Sequence, residues 1–189
     1  MAREYQVDTE SGLVDGASFI PSPNFNDRPN EQDISVLVIH GISLPPGEFG
    51  GDWITQLFTN AIVGDEHPAF AALKGLEVSS HLLIRRTGEV IQYVPFQKRA
   101  WHAGVSSFEG RDNCNDFSIG IELEGTDEVP YEKEQYESLI ALTQAICVAY
   151  PDITLARIVG HCDIAPGRKT DPGPVFDWDH FKNSLTTVA

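Results

Sequence analysis

The chain has 189 residues, 41% of them hydrophobic and 22% charged, and a formal charge of −15. That length supports one well-buried core and is short for two, so a single domain spanning residues 1–189 is expected. The acidic balance excludes a nucleic-acid partner, because phosphate binding needs a basic face, and any anionic substrate must meet a local basic patch.

No stretch approaches the roughly 18 apolar residues of a membrane span, and the opening MAREYQVDTESGLVDG lacks the charged-then-apolar pattern of a secretion signal. No membrane partner is expected. Cys114, Cys147 and Cys162 are odd in number and show no framework-like spacing, which fits free thiols in a reducing, cytoplasmic setting.

Residues 1–33, with Pro21, Pro23 and Pro29, read as an irregular N-terminal arm that wraps the surface. The run Ile34 to His40 is apolar on both faces, as a central strand covered on two sides would be. ISLPPGEFGGDW then reads as a loop, and WITQLFTNAI from Trp53 as a short helix. Ser79 to Val94 carries two β-rich runs around Thr87-Gly88, which is hairpin chemistry. Phe117 to Gly125 alternates strictly, so Ile119, Ile121 and Leu123 point one way while Gly120, Glu122 and Glu124 point the other.

Between Tyr131 and Tyr150 the residues Tyr136, Leu139, Ile140, Thr143, Ile146, Cys147 and Tyr150 fall on one helical stripe, and Pro151 marks the stop. A short strand at RIVGH, a Gly/Pro-rich loop and a closing helix over Phe176 to Leu185 complete the chain. Strands interleaved with helices predict an α/β fold with a central mixed β-sheet flanked by helices, mixed because one pair is a hairpin.

The loop GHCDIAPGRKTDPGP sets His161, Lys169 and Asp171 among turn-forming residues. His40 and His161 each end a predicted strand, and if those strands are neighbours both rings emerge at one sheet edge, where Asp171 can join them. Two histidines and a carboxylate are a hydrolytic zinc ligand set with the fourth position open. Bound Zn2+ lowers the pKa of water from about 15.7 to about 7. A lone histidine at a strand end is as readily a polar cap; the three residues together make the case for a metal.

Glu122, on the polar face of an otherwise apolar strand, is the candidate general base. Burial would raise its pKa and a nearby metal would lower it. Lys169 is placed to stabilise an oxyanion. His81, His67 and His102 are further metal candidates; beside His102, Trp101 offers a flat apolar face to a ligand, and the two are read as substrate-binding residues. His81 reads as a hydrogen-bonded core residue, His67 as a helix-start residue and Cys162 as structural; His180 is far from any cluster.

These blocks resemble the N-acetylmuramyl-L-alanine amidases. The resemblance is carried by PSPNFNDRP, LVIHGISLPPGEFGG, HLLIRRTGEVIQYVPFQKRAWHAGVSSFEGR, CNDFSIGIELEGTD and GHCDIAPGRKTDPGP followed by FDW, which together span nearly everything from Pro21 to Trp178. LPPGEFGG, RAWHAGVSS and CNDFSIGIELEGTD point to the cytosolic branch that cleaves 1,6-anhydro-muropeptides.

The resemblance implies a zinc enzyme with His40, His161 and Asp171 as ligands and with Glu122 and Lys169 in catalysis. It also implies the fold described for amidases and peptidoglycan-recognition proteins, an anhydro-muropeptide substrate, and a place in cell-wall recycling, where loss of the enzyme in some bacteria derepresses a β-lactamase; the sequence does not give the oligomeric state, for which a monomer is favoured. Two departures bear on substrate recognition. Gly41 stands where close relatives carry asparagine, and Glu77 and Asn113 align with their arginines. Peptide recognition is then expected to fall to Arg85, Arg86, Arg111 and Arg168.

Two other readings belong to different classes. A non-catalytic peptidoglycan-binding module on the same fold would have lost a ligand, and here all three positions hold residues able to bind zinc. An iron oxidoreductase with a two-histidine, one-carboxylate triad would need a co-substrate pocket, for which no sequence signature is present.

Overall fold

In the computed structural model, which describes residues 4–186, the first core strand is set by a run that is apolar on both faces. Val36, Leu37, Val38 and Ile39 are fully buried. Leu37 and Ile39 join one core cluster while Val36 and Val38 join another, as the period of two requires. Labelling the strands of the main sheet in chain order gives β1 Ser18–Phe19, β2 Val36–Ile42, β3 Leu82–Ile84, β4 Val90–Gln92, β5 Ser118–Glu124 and β6 Ile158–Gly160. Their spatial order is β6-β2-β5-β3-β4-β1. All neighbours run parallel except the β3–β4 hairpin, so the sheet is mixed as expected.

The helices are α1 Trp53–Phe58, α2 Lys133–Ala149, α3 His161–Ile164 and α4 Trp178–Thr186. α2 covers the face carrying Ile119, Ile121 and Leu123 with Leu139, Leu142 and Ile146. Truncating one such fully buried leucine to alanine costs about 2–5 kcal/mol. Gln135 closes the first turn of α2 by accepting from Glu132 N at 3.0 Å, and its amide donates to Glu124 O at 3.0 Å and Ile84 O at 3.3 Å. The helix is thereby tied to the edge of the strand that carries Glu122. In the hairpin turn, Gly88 has a φ of 77°, and a side chain there would run into the Glu134 carbonyl of α2, so glycine is required twice over.

Several expected boundaries shift. The first strand runs Val36–Ile42 rather than Ile34 to His40, because its ladder with β5 continues through Gly41 and Ile42. α1 stops at Phe58, and Asn60 turns the chain with a φ of 60°, so the expected helix through Ile62 is shortened. His161 opens α3 instead of ending a strand.

The N-terminal arm is not irregular. Gln6–Asp8 pairs with Leu13–Asp15, Ser18–Phe19 extends the main sheet, and Phe25–Asp27 pairs with Lys98–Ala100. Pro21, Pro23 and Pro29 fall between these strands, where the missing N–H costs no ladder bond. Residues 1–3 of that arm, and 187–189 at the other end of the expected domain, lie outside the described residues. Among the described residues no helix is long and apolar enough to cross a membrane. All three cysteines are free.

Candidate functional site

Strand register assembles the floor of the site. His40 shares a face of β2 with Val36 and Val38, and its parallel partner across the ladder is Glu122 on β5. Gly160 of β6 pairs with Ile39, so His161, the next residue, emerges beside His40. Asp171 returns from the loop after α3, anchored where its carbonyl accepts from Cys162 N at 3.0 Å. The following residue, Pro172, accepts at its carbonyl from Tyr131 Oη at 2.9 Å. A side chain at position 41 would collide with that tyrosine hydroxyl, which is a physical reason for Gly41.

Three donor atoms converge. His40 Nδ1 lies 3.0 Å from His161 Nδ1 and 3.3 Å from Asp171 Oδ2, and His161 Nδ1 lies 3.1 Å from the same oxygen. Ligands about 2.0–2.1 Å from a tetrahedral ion sit about 3.3 Å apart, close to these separations. His161 Nε2 is 3.1 Å from Ala103 O. A carbonyl only accepts, so that nitrogen carries the ring's proton and Nδ1 presents a lone pair to the carboxylate. Lone pairs facing one another in a buried place call for a cation, and the His40, His161 and Asp171 cluster is one that can hold a metal ion.

Glu122 Oε1 is 3.9 Å from His40 Nδ1, and its Oε2 is buried with no hydrogen-bond partner. Lys169 is exposed and lines the same pocket, of about 220 Å³, together with Glu122, His161, Asp171, Trp101 and His102. Burial holds His40 down to about 4, with His161 and Lys169 adding to the effect against Asp171. Burial likewise keeps His102 well below the usual imidazole value, helped by His40 and His81.

Burial pushes Glu122 well above the usual carboxylate range; the Asp171 charge adds to this and Lys169 opposes it. For Asp171 burial works against ionisation, and hydrogen bonds from His161 and His40 outweigh it, holding the carboxyl well below its ordinary value; with both facing nitrogens bare, that stabilisation would fall to a bound cation. The His40 and His102 rings are therefore neutral at neutral pH, the form in which an imidazole can ligate a metal. Glu122 is the group whose charge state a bound cation would change.

The remaining predicted site residues divide into two sets. Trp101 forms one wall of the pocket with Leu57, Phe58 and Leu76, its indole N–H donating to Asn26 Oδ1 at 2.7 Å. His102 reaches His40 from behind, with Nδ1 2.9 Å from His40 Nε2. The four arginines do not line this pocket.

Arg85 is bound to Gly51 O and Asp52, and Arg86 to Pro130 O and Glu132; both line a separate cavity of about 510 Å³ with Phe49 and Glu124. Arg111 pairs with Asp33 at 2.5 Å and lies over the Phe117 ring. Arg168 donates to Ala103 O at 2.6 Å and Val105 O at 2.7 Å. Glu77 and Asn113 are exposed.

Sequence reasoning missed Ser118, Asn115 and the apolar wall. Ser118 was within reach, since it continues the face of Gly120, Glu122 and Glu124 by the period of two. Leu57 and Phe58 gave no signal beyond a helical core stripe. His81 is the buried, hydrogen-bonded residue expected, accepting from Gly120 N at 3.0 Å, and His67 caps the Pro68–Leu73 turn. A larger cavity of about 730 Å³ lies between the arm and α2, lined by Tyr5, Val7, Ala141 and Val148, and it contains no histidine or cysteine.

The N-acetylmuramoyl-L-alanine amidase family profile matches residues 30–174. The 1,6-anhydro-N-acetylmuramyl-L-alanine amidase AmpD of Escherichia coli (strain K12) is 58% identical over 173 residues, covering 92% of this chain and 94% of that protein. A crystal structure of a selenomethionine AmpD superposes with a TM-score of 0.91 at 56% identity, covering 95% of this chain and 98% of the other. E. coli AmiD, solved in complex with the substrate anhydro-N-acetylmuramic acid-L-Ala-D-γ-Glu-L-Lys, gives a TM-score of 0.59 at 34% identity, over 80% of this chain and 57% of that one.

Proposed function

Since the chain belongs to the N-acetylmuramoyl-L-alanine amidase family, we propose that it hydrolyses the amide between 1,6-anhydro-N-acetylmuramic acid and L-alanine of the stem peptide, as a zinc enzyme of cytoplasmic cell-wall recycling. Residues 1–189 are read as one amidase domain. The observation that carries the reading is the convergence of His40, His161 and Asp171 opposite a buried Glu122 oxygen that has no hydrogen-bond partner among the described residues.

His40, His161 and Asp171 would hold the zinc. Zinc bound there supplies Lewis acidity and makes nearby water more acidic. The chain's own groups do the rest. Glu122 takes the proton of the attacking water at its free Oε2 and returns it to the leaving amine, since a carboxyl raised by burial can serve as base and then as acid near neutral pH. Lys169, exposed at the mouth beside Asp171, places its ammonium where the scissile carbonyl oxygen gains charge. Trp101, Leu57 and Phe58 form an apolar wall that excludes water and can receive the apolar face of a sugar. On a chain with a net charge of −15, Lys169 is also the Lys or Arg that lines the pocket for an anionic peptide to meet.

The test is to incubate the protein with anhydro-muramyl-tripeptide, with and without a chelator, and to follow the products by mass spectrometry. The expected result is chelator-sensitive release of anhydro-sugar and free tripeptide. Binding without cleavage would instead leave the non-catalytic module as the reading.

A further inference from the structure

We infer that His102 and Ser118 are positioning residues, forming a hydrogen-bond relay that ends on the Cys114 carbonyl and leaves His40 Nδ1 as the bare nitrogen facing Asp171. The inference deepens the metal reading above and rests on it for its functional meaning. Its structural content stands on the direction of each hydrogen bond.

The direction is fixed at the far end. Ser118 Oγ lies 2.6 Å from Cys114 O, and a carbonyl has no proton to give, so the hydroxyl donates its only hydrogen there. His102 Nε2 lies 3.1 Å from the same Oγ. With the hydroxyl hydrogen spent, Nε2 is the donor of that pair. A neutral imidazole carries one N–H, so His102 Nδ1 is a lone pair. It sits 2.9 Å from His40 Nε2, which therefore donates.

His40 Nδ1 is left without a hydrogen, 3.0 Å from His161 Nδ1, which is bare because His161 Nε2 donates to Ala103 O. Reversing one bond of the relay without the others would set two lone pairs or two hydrogens face to face within it, at about 1–3 kcal/mol for each unsatisfied group; the one opposed pair of lone pairs the relay leaves, His40 Nδ1 and His161 Nδ1, is where a cation would sit.

Two further features hold the relay in place. A Cβ at position 120 would lie 2.6 Å from His102 Cγ and Nδ1, so glycine between Ser118 and Glu122 is what lets the ring lie across β5. Asn115 Oδ1 accepts from His102 N at 3.1 Å and from Ala103 N at 2.8 Å. A single buried amide thus fixes two consecutive residues, one orienting His40 through its side chain and the other orienting His161 through its carbonyl. Outer partners of this kind are worth about 10–100-fold in metal affinity.

The experiment has two arms. In metal-free protein at neutral pH, 15N NMR of the histidine rings reads which nitrogen of His40 carries the proton; Nε2 is expected. In the second arm, zinc affinity is measured by competition with a chromophoric chelator. His102→Leu, which removes the acceptor while keeping bulk, is expected to lose about 10–100-fold. His102→Asn, which sets an amide oxygen where Nδ1 stood, recovers most of that loss. Ser118→Ala, a smaller change, frees the His102 tautomer and gives a mixed His40 signal.

A wild-type proton on His40 Nδ1, or wild-type zinc affinity in His102→Leu, would overturn the relay. Absence of zinc binding by the wild type, with the Nε2 proton in place, would uphold the relay and overturn the metal reading instead.

Discussion

On the cleft floor, His40 and Glu122 sit at positions dictated by strand register, and His161 and Asp171 are tied to the same sheet edge by backbone bonds. At the rim, Arg85, Arg86, Arg111 and Arg168 leave their elements on long side chains whose ends are already bound to carbonyls or carboxylates of the protein. Similar signals in the sequence, a polar residue near a turn, therefore end in opposite surroundings. The floor directs unpartnered groups inward, namely a glutamate oxygen and two bare ring nitrogens. The rim spends its charge on holding loops.

The sharpest way to break that contrast is to remove a floor residue. Asp171→Ala should lose zinc retention and turnover together, read by metal analysis and by the tripeptide-release assay. If zinc is retained at full stoichiometry, the three-residue site is wrong.

Next in size is Lys169→Ala, which takes away charge stabilisation without touching the donor cluster. A fall of about 10²–10³-fold in kcat with zinc still bound is expected. A change confined to KM would move Lys169 to substrate binding.

Acid stability separates the two regions further. His81 and His40, both buried, are held at about 3 and about 4 against an ordinary 6.5. Below pH 6.5 the unfolded chain takes up protons that the folded chain refuses, so the unfolded state binds more protons. Stability of the metal-free protein is then lost as pH falls from 6.5 toward about 3, by about 1.4 kcal/mol per pH unit for each ring. Glu122, raised by burial, works in the opposite sense over the same window, so urea unfolding at pH 7 and pH 5 is read in Glu122→Gln, where equal midpoints would mean the rings are not neutral in the fold.

The smallest effect belongs to the rim. Arg111→Ala should leave kcat/KM within about twofold and cost about 1 kcal/mol or less, since it breaks a half-exposed ion pair and one ring contact. A tenfold rise in KM for the tripeptide would return this arginine to substrate recognition.

The same contrast explains what the sequence could reveal. The strands carrying His40 and Glu122, and the one that leads into His161, were legible because apolar periodicity marks buried strands, and the loop around Asp171 because its turn-formers stand together. That β5 lies beside β2 with Glu122 opposite His40 was not legible, since pairing between distant strands leaves no local pattern. The two-residue slide of β2 has the same origin: Ile34 and Ser35 read as strand, and only the ladder with β5 decides. Strands of two or three residues in the arm are too short to show alternation.

His102 read as a ligand contact because Trp101 beside it offers a flat apolar face, while the partners that turn the ring toward His40 come from β5 and the Asn115 turn. That Arg85, Arg86, Arg111 and Arg168 are bound to carbonyls or carboxylates of the protein was not legible either, because net charge and composition do not say which cations are already paired.

The central claim is a division of labour on the floor: three residues hold the metal and Glu122 moves the proton. Glu122→Gln, dialysed against zinc and assayed for both metal content and tripeptide release, tests it most directly. One zinc per chain with turnover reduced about 10²–10⁴-fold is the result expected of a general base. A protein that loses its zinc, or one that keeps wild-type turnover, would contradict the assignment.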